Sequence, residues 1–134
     1  MTPFSLKIVT PDGLQFEGQA EEVTVRTTTG DIGILAGHLN CVAPLGMGRA
    51  TIVIDGQKRY AACIGGMLSV VDGAVILVPT TFEWSENIDQ VRAERAAEKA
   101  KAIIDNKDSS AMDIQMAQAR LKRALVRTNV AKPM

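Results

Sequence analysis

Glycine and proline are missing from a long part of this chain. Neither occurs between Thr80 and Lys132, and all eleven glycines lie at or before Gly73. Because these residues are the strongest breakers of regular structure, their absence over about fifty residues permits long helices. The sequence therefore predicts a glycine-punctuated β part followed by an alanine-rich helical part, with the joint between them around residues 82–87.

Other absences exclude whole classes of protein. The aromatic content is only 4%, so the core is expected to be aliphatic. The longest apolar run, Ala74 to Val78, is too short to span a bilayer, and the N-terminus has no signal-peptide pattern. Without an export signal, Cys41 and Cys63 are expected to be small apolar residues in a reduced compartment rather than a disulfide. Any membrane association is expected to run through a partner.

Motifs for catalysis are also missing. No glycine is followed by Lys-Ser or Lys-Thr, which excludes a P-loop. His38 is the only histidine, so neither a histidine-activated nucleophile nor a His/Cys metal site is expected. We interpret His38 as a loop contact, and we expect no catalysis by this chain alone.

The zero net charge conceals an asymmetry. Residues 1–87 carry five Lys/Arg and nine Asp/Glu, a net charge of −4, whereas residues 88–134 carry ten and six, a net charge of +4. Opposite charges on adjoining parts favour docking between them or different partners for each. A basic cluster with no acid among its members ends the chain: Arg120, Lys122, Arg123, Arg127 and Lys132.

The first part has repeated signals for strands and turns. Asp55-Gly56 and Asp72-Gly73 each separate two apolar runs, and Asp-Gly favours a type I′ turn between antiparallel strands. Short strands about ten residues apart indicate a sandwich or flattened barrel, so we expect this part to be all-β and antiparallel. Glycines interrupt Thr29 to Leu45, which is predicted to be an irregular connection or a contact surface.

The second part has the helical period. Helix one is predicted over 88–104 and helix two over 111–130, and the six polar residues between them make an antiparallel hairpin. The expected caps are Ser85 or Asn87 for helix one and Ser109 or Ser110 for helix two.

Alanine dominates the predicted seam between these helices. It permits close approach but buries little, since each CH₂-sized group contributes only about 0.8 kcal/mol. Such a hairpin would be marginal alone, so it needs docking, and a ligand or partner could move it at low cost. The alternative is a small, stable helical cap. The expected seam residues are Val91, Ala93, Ala96, Ala97, Ala100, Ile103, Ile104, Ala117, Leu121, Ala124 and Leu125.

Five short strings in a fixed order carry a family resemblance. They are Thr10-Pro11-Asp12-Gly13, Gly33-Ile34-Leu35-Ala36-Gly37-His38, Val42-Ala43-Pro44-Leu45, Gly65-Gly66-Met67-Leu68 and Ile88-Asp89-Gln90-Val91-Arg92-Ala93. Over essentially the whole chain, their order and spacing resemble the epsilon-subunit family of bacterial F-type ATP synthases. Ala36 and Asn40 stand where this family often has proline, and the substitutions are expected to loosen that loop.

The resemblance implies an α+β fold with two domains. Residues 1–84 would form an antiparallel β-sandwich of about ten strands that binds the rotor stalk, and residues 85–134 an antiparallel two-helix hairpin with a regulatory role. It also implies a non-catalytic central-stalk subunit that couples the gamma subunit to the c-ring. The mobile hairpin would inhibit ATP hydrolysis by extending to the catalytic alpha/beta head. Such a subunit lies peripherally on the cytoplasmic face of the bacterial cell membrane and requires no cofactor.

ATP is the regulatory ligand that the resemblance implies for the folded hairpin. The family motif Ile/Leu-Asp-x-x-Arg-Ala is matched from Ile88 to Ala93. Arginines can make bidentate, charge-assisted contacts to phosphate. Lys99 stands where some relatives have arginine, and a lysine keeps the charge but lacks the planar guanidinium that makes bidentate contacts. Ala93 would leave room for the base, and Glu83 would accept from its exocyclic amine. The candidate ATP-binding residues are Glu83, Ile88, Asp89, Arg92, Ala93, Lys99, Arg123 and Arg127.

Three alternatives stay open at this point. Asp89 and Arg92 could form an ordinary surface ion pair, with the arginines of helix two facing the catalytic subunits. A free-standing ATP-sensing module is a second function. A small nucleic-acid-binding protein using the basic end of helix two is a third, although that helix has no aromatic residue for stacking bases and the chain has no net charge.

Overall fold

A computed structural model describes residues 1–131. The last three residues, with Lys132 of the basic cluster and the end of the predicted hairpin domain, lie outside the described residues. The chain divides into two compact units between Trp84 and Ser85. Ten strands make up the first unit, and a short 3₁₀ turn and two helices make up the second.

The ten strands form two five-stranded sheets. The strands are β1 (Phe4–Thr10), β2 (Gly13–Ala20), β3 (Glu22–Thr27), β4 (Gly30–Ile34), β5 (Cys41–Pro44), β6 (Met47–Ile54), β7 (Gln57–Ile64), β8 (Met67–Val71), β9 (Ala74–Val78) and β10 (Thr81–Trp84). Their order is β2-β1-β9-β8-β5 in the first sheet and β10-β7-β6-β3-β4 in the second. This confirms the predicted ten-stranded β-sandwich.

Alternating residues of both sheets fill the sandwich core. In β1 the burial alternates along the strand, with Leu6 and Ile8 fully buried, as a strand with one face on the core requires. The core is mainly aliphatic, as predicted: Leu6, Ile8, Val23, Val25, Ile34, Leu45, Ile52, Leu68, Val70, Val75 and Leu77 belong to one continuous cluster.

A small aromatic group holds the last strand in this core. Trp84 meets Phe82 edge-on, with 4.9 Å between ring centroids, and the guanidinium of Arg59 lies 3.7 Å from the centre of the Trp84 ring. Both aromatic residues are buried members of the core cluster. The predicted joint at 82–87 is therefore wrong at its start, because only Ser85–Asn87 lies outside the strands.

Both Asp-Gly turns have the predicted conformation. Asp55 and Gly56 have φ angles of 51° and 76°, and Asp72 and Gly73 have φ angles of 50° and 84°. Positive φ at both central residues defines the type I′ turn, whose twist matches that of the strands it joins. The β6–β7 and β8–β9 hairpins are thus confirmed at the level of the backbone.

Two details of this unit differ from the sequence expectations. β1 pairs with β9 in parallel, because these strands are far apart in sequence and no hairpin dictates their direction. The segment 29–45 is less irregular than predicted, since it contains β4 and β5. Their backbones pair with β3 and β8, and tertiary pairing overrides their glycine content.

The two cysteine thiols are free. Cys63 is buried in the sandwich core, and this burial raises the pKa of its thiol to about 12 because the thiolate would lose its solvation. Cys63 therefore stays protonated and behaves as a small apolar core residue.

The second unit is the predicted helical hairpin. A 3₁₀ turn at Ser85–Asn87 precedes α1 (Gln90–Asp105) and α2 (Ala111–Ala131). Ser110 caps α2 as predicted: its hydroxyl accepts the Asp113 N–H at 3.1 Å, and the Asp113 carboxylate accepts the Ser110 N–H at 3.3 Å. This reciprocal pair is a capping box with an aspartate. Within residues 1–131, no helix is long and apolar enough to cross a membrane.

Alanines line the packed face between the two helices. Ala93, Ala97 and Ala100 of α1 are buried at helical spacing, as are Ala117 and Ala124 of α2. The aliphatic side chains of Ile103, Ile104 and Leu121 are only half-buried. Three expected seam residues are instead exposed, because they lie off the buried stripes: Val91, Ala96 and Leu125.

Candidate functional site

The hairpin brings most of the predicted ATP-binding residues to one end. α2 contacts both α1 and the 3₁₀ turn before it, so the two helices run antiparallel from their short connection. Residues equally far from the connection then lie at about the same level, which places Arg123 and Arg127 beside the first turn of α1. Arg92 lies in that first turn. Three guanidinium groups therefore share one end of the hairpin.

Asp89 is the N-cap of α1, which differs from the sequence expectation of Ser85 or Asn87. Its Oδ1 accepts the backbone N–H of Arg92 at 3.0 Å, and its own backbone is extended, with φ −79° and ψ 97°. Neither Ser85 nor Asn87 is therefore the cap. The 3₁₀ turn accounts for this shift, because Ile88 N–H bonds back to the Ser85 carbonyl and delays the helix.

The surface ion pair between Asp89 and Arg92 does not form. The Asp89 carboxylate bonds the backbone of Arg92 rather than its guanidinium. Among residues 1–131, neither Arg92 nor Arg123 makes a side-chain hydrogen bond or ion pair. Arg92 is exposed, and Arg123 and Arg127 are half-buried. Two guanidinium groups at this end are therefore available to an anion.

Ala93 lies on the buried face of α1. It is 4% exposed and begins the alanine stripe that packs in the hairpin, so the open space expected beside it for a base is absent. A base could reach this methyl group only if the seam opened there. Ile88, immediately before the cap, is half-buried.

Two further candidates belong neither to the first turn of α1 nor to α2. Lys99 is exposed on α1, seven residues beyond Arg92, which is about 10 Å farther along the helix axis. Glu83 belongs to the other unit, where it is half-buried in β10 and pairs with Ala62 of β7. The other six candidates lie at the start of α1 and on α2: Ile88, Asp89, Arg92, Ala93, Arg123 and Arg127.

A surface on the sandwich, which sequence reasoning missed, is the other candidate site. Five large apolar side chains on β5, β8 and β9 point away from the core and are exposed: Val42, Met67, Val71, Ile76 and Val78. The strand register makes them neighbours, since Met67 lies opposite Val78 and Val71 opposite Ala74. We call these five residues the outer apolar face.

The sequence contained a signal for this face. Ala74 to Val78 is apolar at every position, whereas a strand with one solvated face alternates between apolar and polar residues. An unbroken apolar run in a strand indicates that both faces meet apolar surroundings. Exposed contiguous apolar patches on soluble proteins mark interaction sites, so the outer apolar face is a candidate protein interface.

Each of the two units matches a known protein-family profile. Residues 3–85 match the profile described as "ATP synthase, Delta/Epsilon chain, beta-sandwich domain". Residues 86–132 match the profile described as "ATP synthase, Delta/Epsilon chain, long alpha-helix domain". The chain therefore belongs to the ATP synthase delta/epsilon family.

Curated relatives give the particular branch of the family. The chain is 40% identical to the ATP synthase epsilon chain of Bacillus velezensis, covering 98% of both chains. It is 37% identical to the epsilon chain of Ruminococcus albus, again covering 98% of both. The resemblance to the epsilon-subunit family that the five sequence strings carry is thus confirmed.

Solved structures of the same architecture come from mitochondrial ATP synthases. A chain of the Euglena gracilis enzyme, solved with its OSCP, F1 and c-ring, aligns with a TM-score of 0.82 at 26% identity, covering 98% of this chain and 82% of that one. A chain from the central stalk and c-ring of the Tetrahymena thermophila enzyme aligns with a TM-score of 0.66 at 11% identity, covering 96% of both chains. The second likeness shows the fold alone.

Proposed function

We propose that this chain is a non-catalytic central-stalk subunit of an F-type ATP synthase, coupling the gamma subunit to the c-ring and restraining ATP hydrolysis. The observation that carries this proposal is the match of both units, in order, to the delta/epsilon family. In this function the chain lies peripherally on the cytoplasmic face of the cell membrane, held there by its partners. The translocated ion, proton or sodium, is handled by other subunits.

The outer apolar face supports a partner on the sandwich. Five exposed large apolar side chains on three neighbouring strands are costly in water and favourable once covered. We assign the gamma subunit as the partner that covers this face, because the relatives are epsilon chains of ATP synthases. Binding would then remove these side chains from water.

A charge introduced on this face tests the assignment. Ile76→Glu places a carboxylate within the outer apolar face and is expected to weaken binding to purified gamma subunit at least tenfold, because the charge would be desolvated. Lys58→Glu is the matched control, since Lys58 is exposed on β7 of the other sheet. Equal loss in both variants would contradict the assignment. Self-association through this face, detected by sedimentation, would instead indicate a second copy as the occupant.

The hairpin is the regulatory element in this proposal. Its buried face consists mostly of alanine, so opening it exposes little apolar surface and requires less free energy than opening an aliphatic core. Deleting residues 88–134 is expected to relieve inhibition of ATP hydrolysis in the reconstituted synthase while the sandwich still binds. Inhibition as strong as that of the intact chain would show that the hairpin is not the inhibitor.

ATP is the regulatory ligand we propose for the hairpin, bound at the end where Arg92, Arg123 and Arg127 meet. The guanidinium groups of Arg92 and Arg123, which have no side-chain partner within residues 1–131, suit the triphosphate. The N-terminus of α1 adds a favourable partial charge. Ile88, Asp89 and Ala93 complete this end. Lys99 and Glu83 are retained as further contributors.

Titration of the full chain with ATP, followed by backbone amide shifts, tests this site. Arg123→Ala is expected to weaken ATP binding about tenfold or more, as for loss of a hydrogen bond to a charged group. Arg95→Ala is the control, because Arg95 is an exposed arginine of α1 outside the proposed set. Shifts absent from Asp89, Arg92 and Arg123 would overturn the residue assignment. ATP binding without any effect on the synthase would favour the free-standing ATP sensor.

Asp89 caps α1 and is also a proposed ATP-binding residue, so a variant is needed that changes only one of these roles. Asn caps helices as well as Asp does, so Asp89→Asn is expected to preserve α1 while removing the negative charge. If the Asp89 charge repels the triphosphate, ATP binds this variant more tightly; if the carboxylate accepts from the ribose, binding weakens. An unchanged affinity would limit Asp89 to capping.

A further inference from the structure

Each of the two Asp-Gly turns is bonded by a side chain from a distant part of the chain. Glu21 Oε1 accepts the Gly56 N–H at 2.6 Å. Asn40 Oδ1 accepts the Asp72 N–H at 2.8 Å, and Asn40 Nδ2 lies 3.5 Å from Asp72 Oδ1 as a donor. Central N–H groups of a two-residue turn have no partner in the strand ladder. Both side chains therefore satisfy otherwise unpaired turn donors.

Asn40 also ends an exposed loop. The residues from Leu35 to Asn40 connect β4 in one sheet with β5 in the other. Leu35 and Leu39 are 52% and 83% exposed, and the loop contains one turn, in which His38 N–H bonds the Leu35 carbonyl at 3.2 Å. The bonds between Asn40 and Asp72 join this loop to the β8–β9 turn.

The Asn40–Asp72 pair lies at the border of the outer apolar face. Asn40 comes two residues before Val42, and Asp72 comes directly after Val71; both valines are exposed members of that face. Since Cys41 pairs with Val70, Asn40 continues the strand register next to Val71. The exposed loop is therefore continuous with the outer apolar face.

We propose that Asn40 is a positioning residue for partner binding: its two bonds to Asp72 hold the Leu35–Asn40 loop beside the outer apolar face, so that loop and face meet the gamma subunit together. This inference rests on the proposed function, which assigns gamma to that face. It also bears on the expectation that Asn40, in place of a proline, loosens the loop, because a proline could form neither of these side-chain bonds. Ordering the loop before binding lowers the entropic cost of docking.

Three variants of the full chain test the proposal. Asn40→Ala removes both bonds. Asn40→Asp keeps an acceptor for the Asp72 N–H but loses the donor and places two carboxylates together. The double variant Asn40→Asp/Asp72→Asn restores both bonds with the groups exchanged, and Asn-Gly suits the type I′ turn equally well.

Two readouts separate structure from function. Hydrogen exchange at the residue 72 amide is expected to accelerate in Asn40→Ala and to return to the wild-type rate in the double variant. Binding to purified gamma subunit is expected to weaken about tenfold in Asn40→Ala, as for loss of one net hydrogen bond, to weaken likewise in Asn40→Asp, and to recover in the double variant. Glu21→Ala, which frees the other turn, is expected to bind gamma normally.

Each contrary result has a distinct meaning. Fast exchange at residue 72 with unchanged gamma binding in Asn40→Ala would overturn the positioning role but leave the proposed function intact. Failure of the double variant to restore binding would also overturn it. Normal gamma binding by Ile76→Glu would instead overturn the assignment of gamma to the outer apolar face.

Discussion

The two units of this chain bury very different side chains. Leucine, isoleucine, valine and aromatic rings fill the sandwich core, whereas the buried positions of the hairpin are mostly alanines. Burying a large aliphatic side chain contributes about 1.5–3 kcal/mol, and burying an alanine methyl group contributes less than about 1 kcal/mol. The hairpin is therefore expected to unfold at a lower free-energy cost than the sandwich. The chain has one tryptophan, Trp84, which lies in the sandwich core, so tryptophan fluorescence reports on the sandwich. The helical circular dichroism signal reports on the hairpin.

Gly66→Ala is the variant expected to damage the sandwich most. Gly66 has φ +97°, and an added Cβ would overlap the Val78 carbonyl oxygen and lie 2.6 Å from Pro79 Cα. We expect a loss of more than about 4 kcal/mol in the free energy of unfolding, measured by tryptophan fluorescence in urea. Gly73→Ala is the matched control: its φ is +84° but the space is open, so about 1–2 kcal/mol is expected. Similar losses would mean that backbone conformation, and not close packing, governs both sites.

Core truncation compares the two units directly. Leu77→Ala removes a fully buried leucine of the sandwich and is expected to cost about 2–5 kcal/mol in unfolding free energy. Leu121→Ala removes a half-buried leucine of the hairpin, where about 1 kcal/mol is expected. Urea unfolding followed by tryptophan fluorescence and by helical circular dichroism measures the loss of unfolding free energy in each unit. Equal losses in the two units would contradict the expectation that the sandwich core contributes more to stability than the hairpin seam.

Alkaline pH should weaken the sandwich through Cys63. Burial raises the pKa of this thiol from 9.0 to about 12, so its stabilising contribution is complete below pH 9 and is lost as the pH rises towards 12. At about pH 10.5 the unfolded chain ionises while the folded core does not, which costs about 2 kcal/mol. Urea unfolding of wild type and Cys63→Ala at about pH 8 and 10.5 measures this difference. If the difference in unfolding free energy between wild type and Cys63→Ala is the same at both pH values, Cys63 is not the cause of the alkaline destabilisation.

The smallest expected effect concerns the start of the hairpin. Asp89→Ala removes the N-cap of α1 and is expected to destabilise the hairpin by about 1 kcal/mol. Helical circular dichroism during thermal unfolding should show the change, whereas tryptophan fluorescence should not. Asn87→Ala is the control, because Asn87 is not the cap. A fluorescence change as large as the circular dichroism change would show that the two units unfold as one.

Local chemistry explains why much of the fold was predictable. Asp-Gly turns and the helix caps act over two to four residues, and the type I′ turns and the Ser110 cap occur as predicted. The cap of α1 differs from the prediction, because the 3₁₀ turn shifts the start of the helix to Gln90 and makes Asp89 the cap. The parallel pairing of β1 with β9 also escaped sequence reasoning, since strands far apart in sequence carry no turn that specifies their direction.

The candidate sites divide in the same way. The motif from Ile88 to Ala93 and the arginines of α2 were visible as residues, but their meeting at one end depends on the antiparallel register of two helices. The buried position of Ala93 and the outer apolar face depend on which side of each element is covered. A sequence pattern gives the period of a helix or strand. Which side of that helix or strand is buried depends on the elements that pack against it.

Local residue preferences specify the order of a β unit and a helical unit, because glycine, proline and alanine act on the backbone locally. Short strings in a constant order likewise indicate the family. The bonds between Asn40 and the Asp72 turn, and the neighbouring exposed apolar side chains of β5, β8 and β9, arise only in the folded chain. Hydrogen bonds and contacts between distant segments depend on strand order and register, which no local propensity specifies.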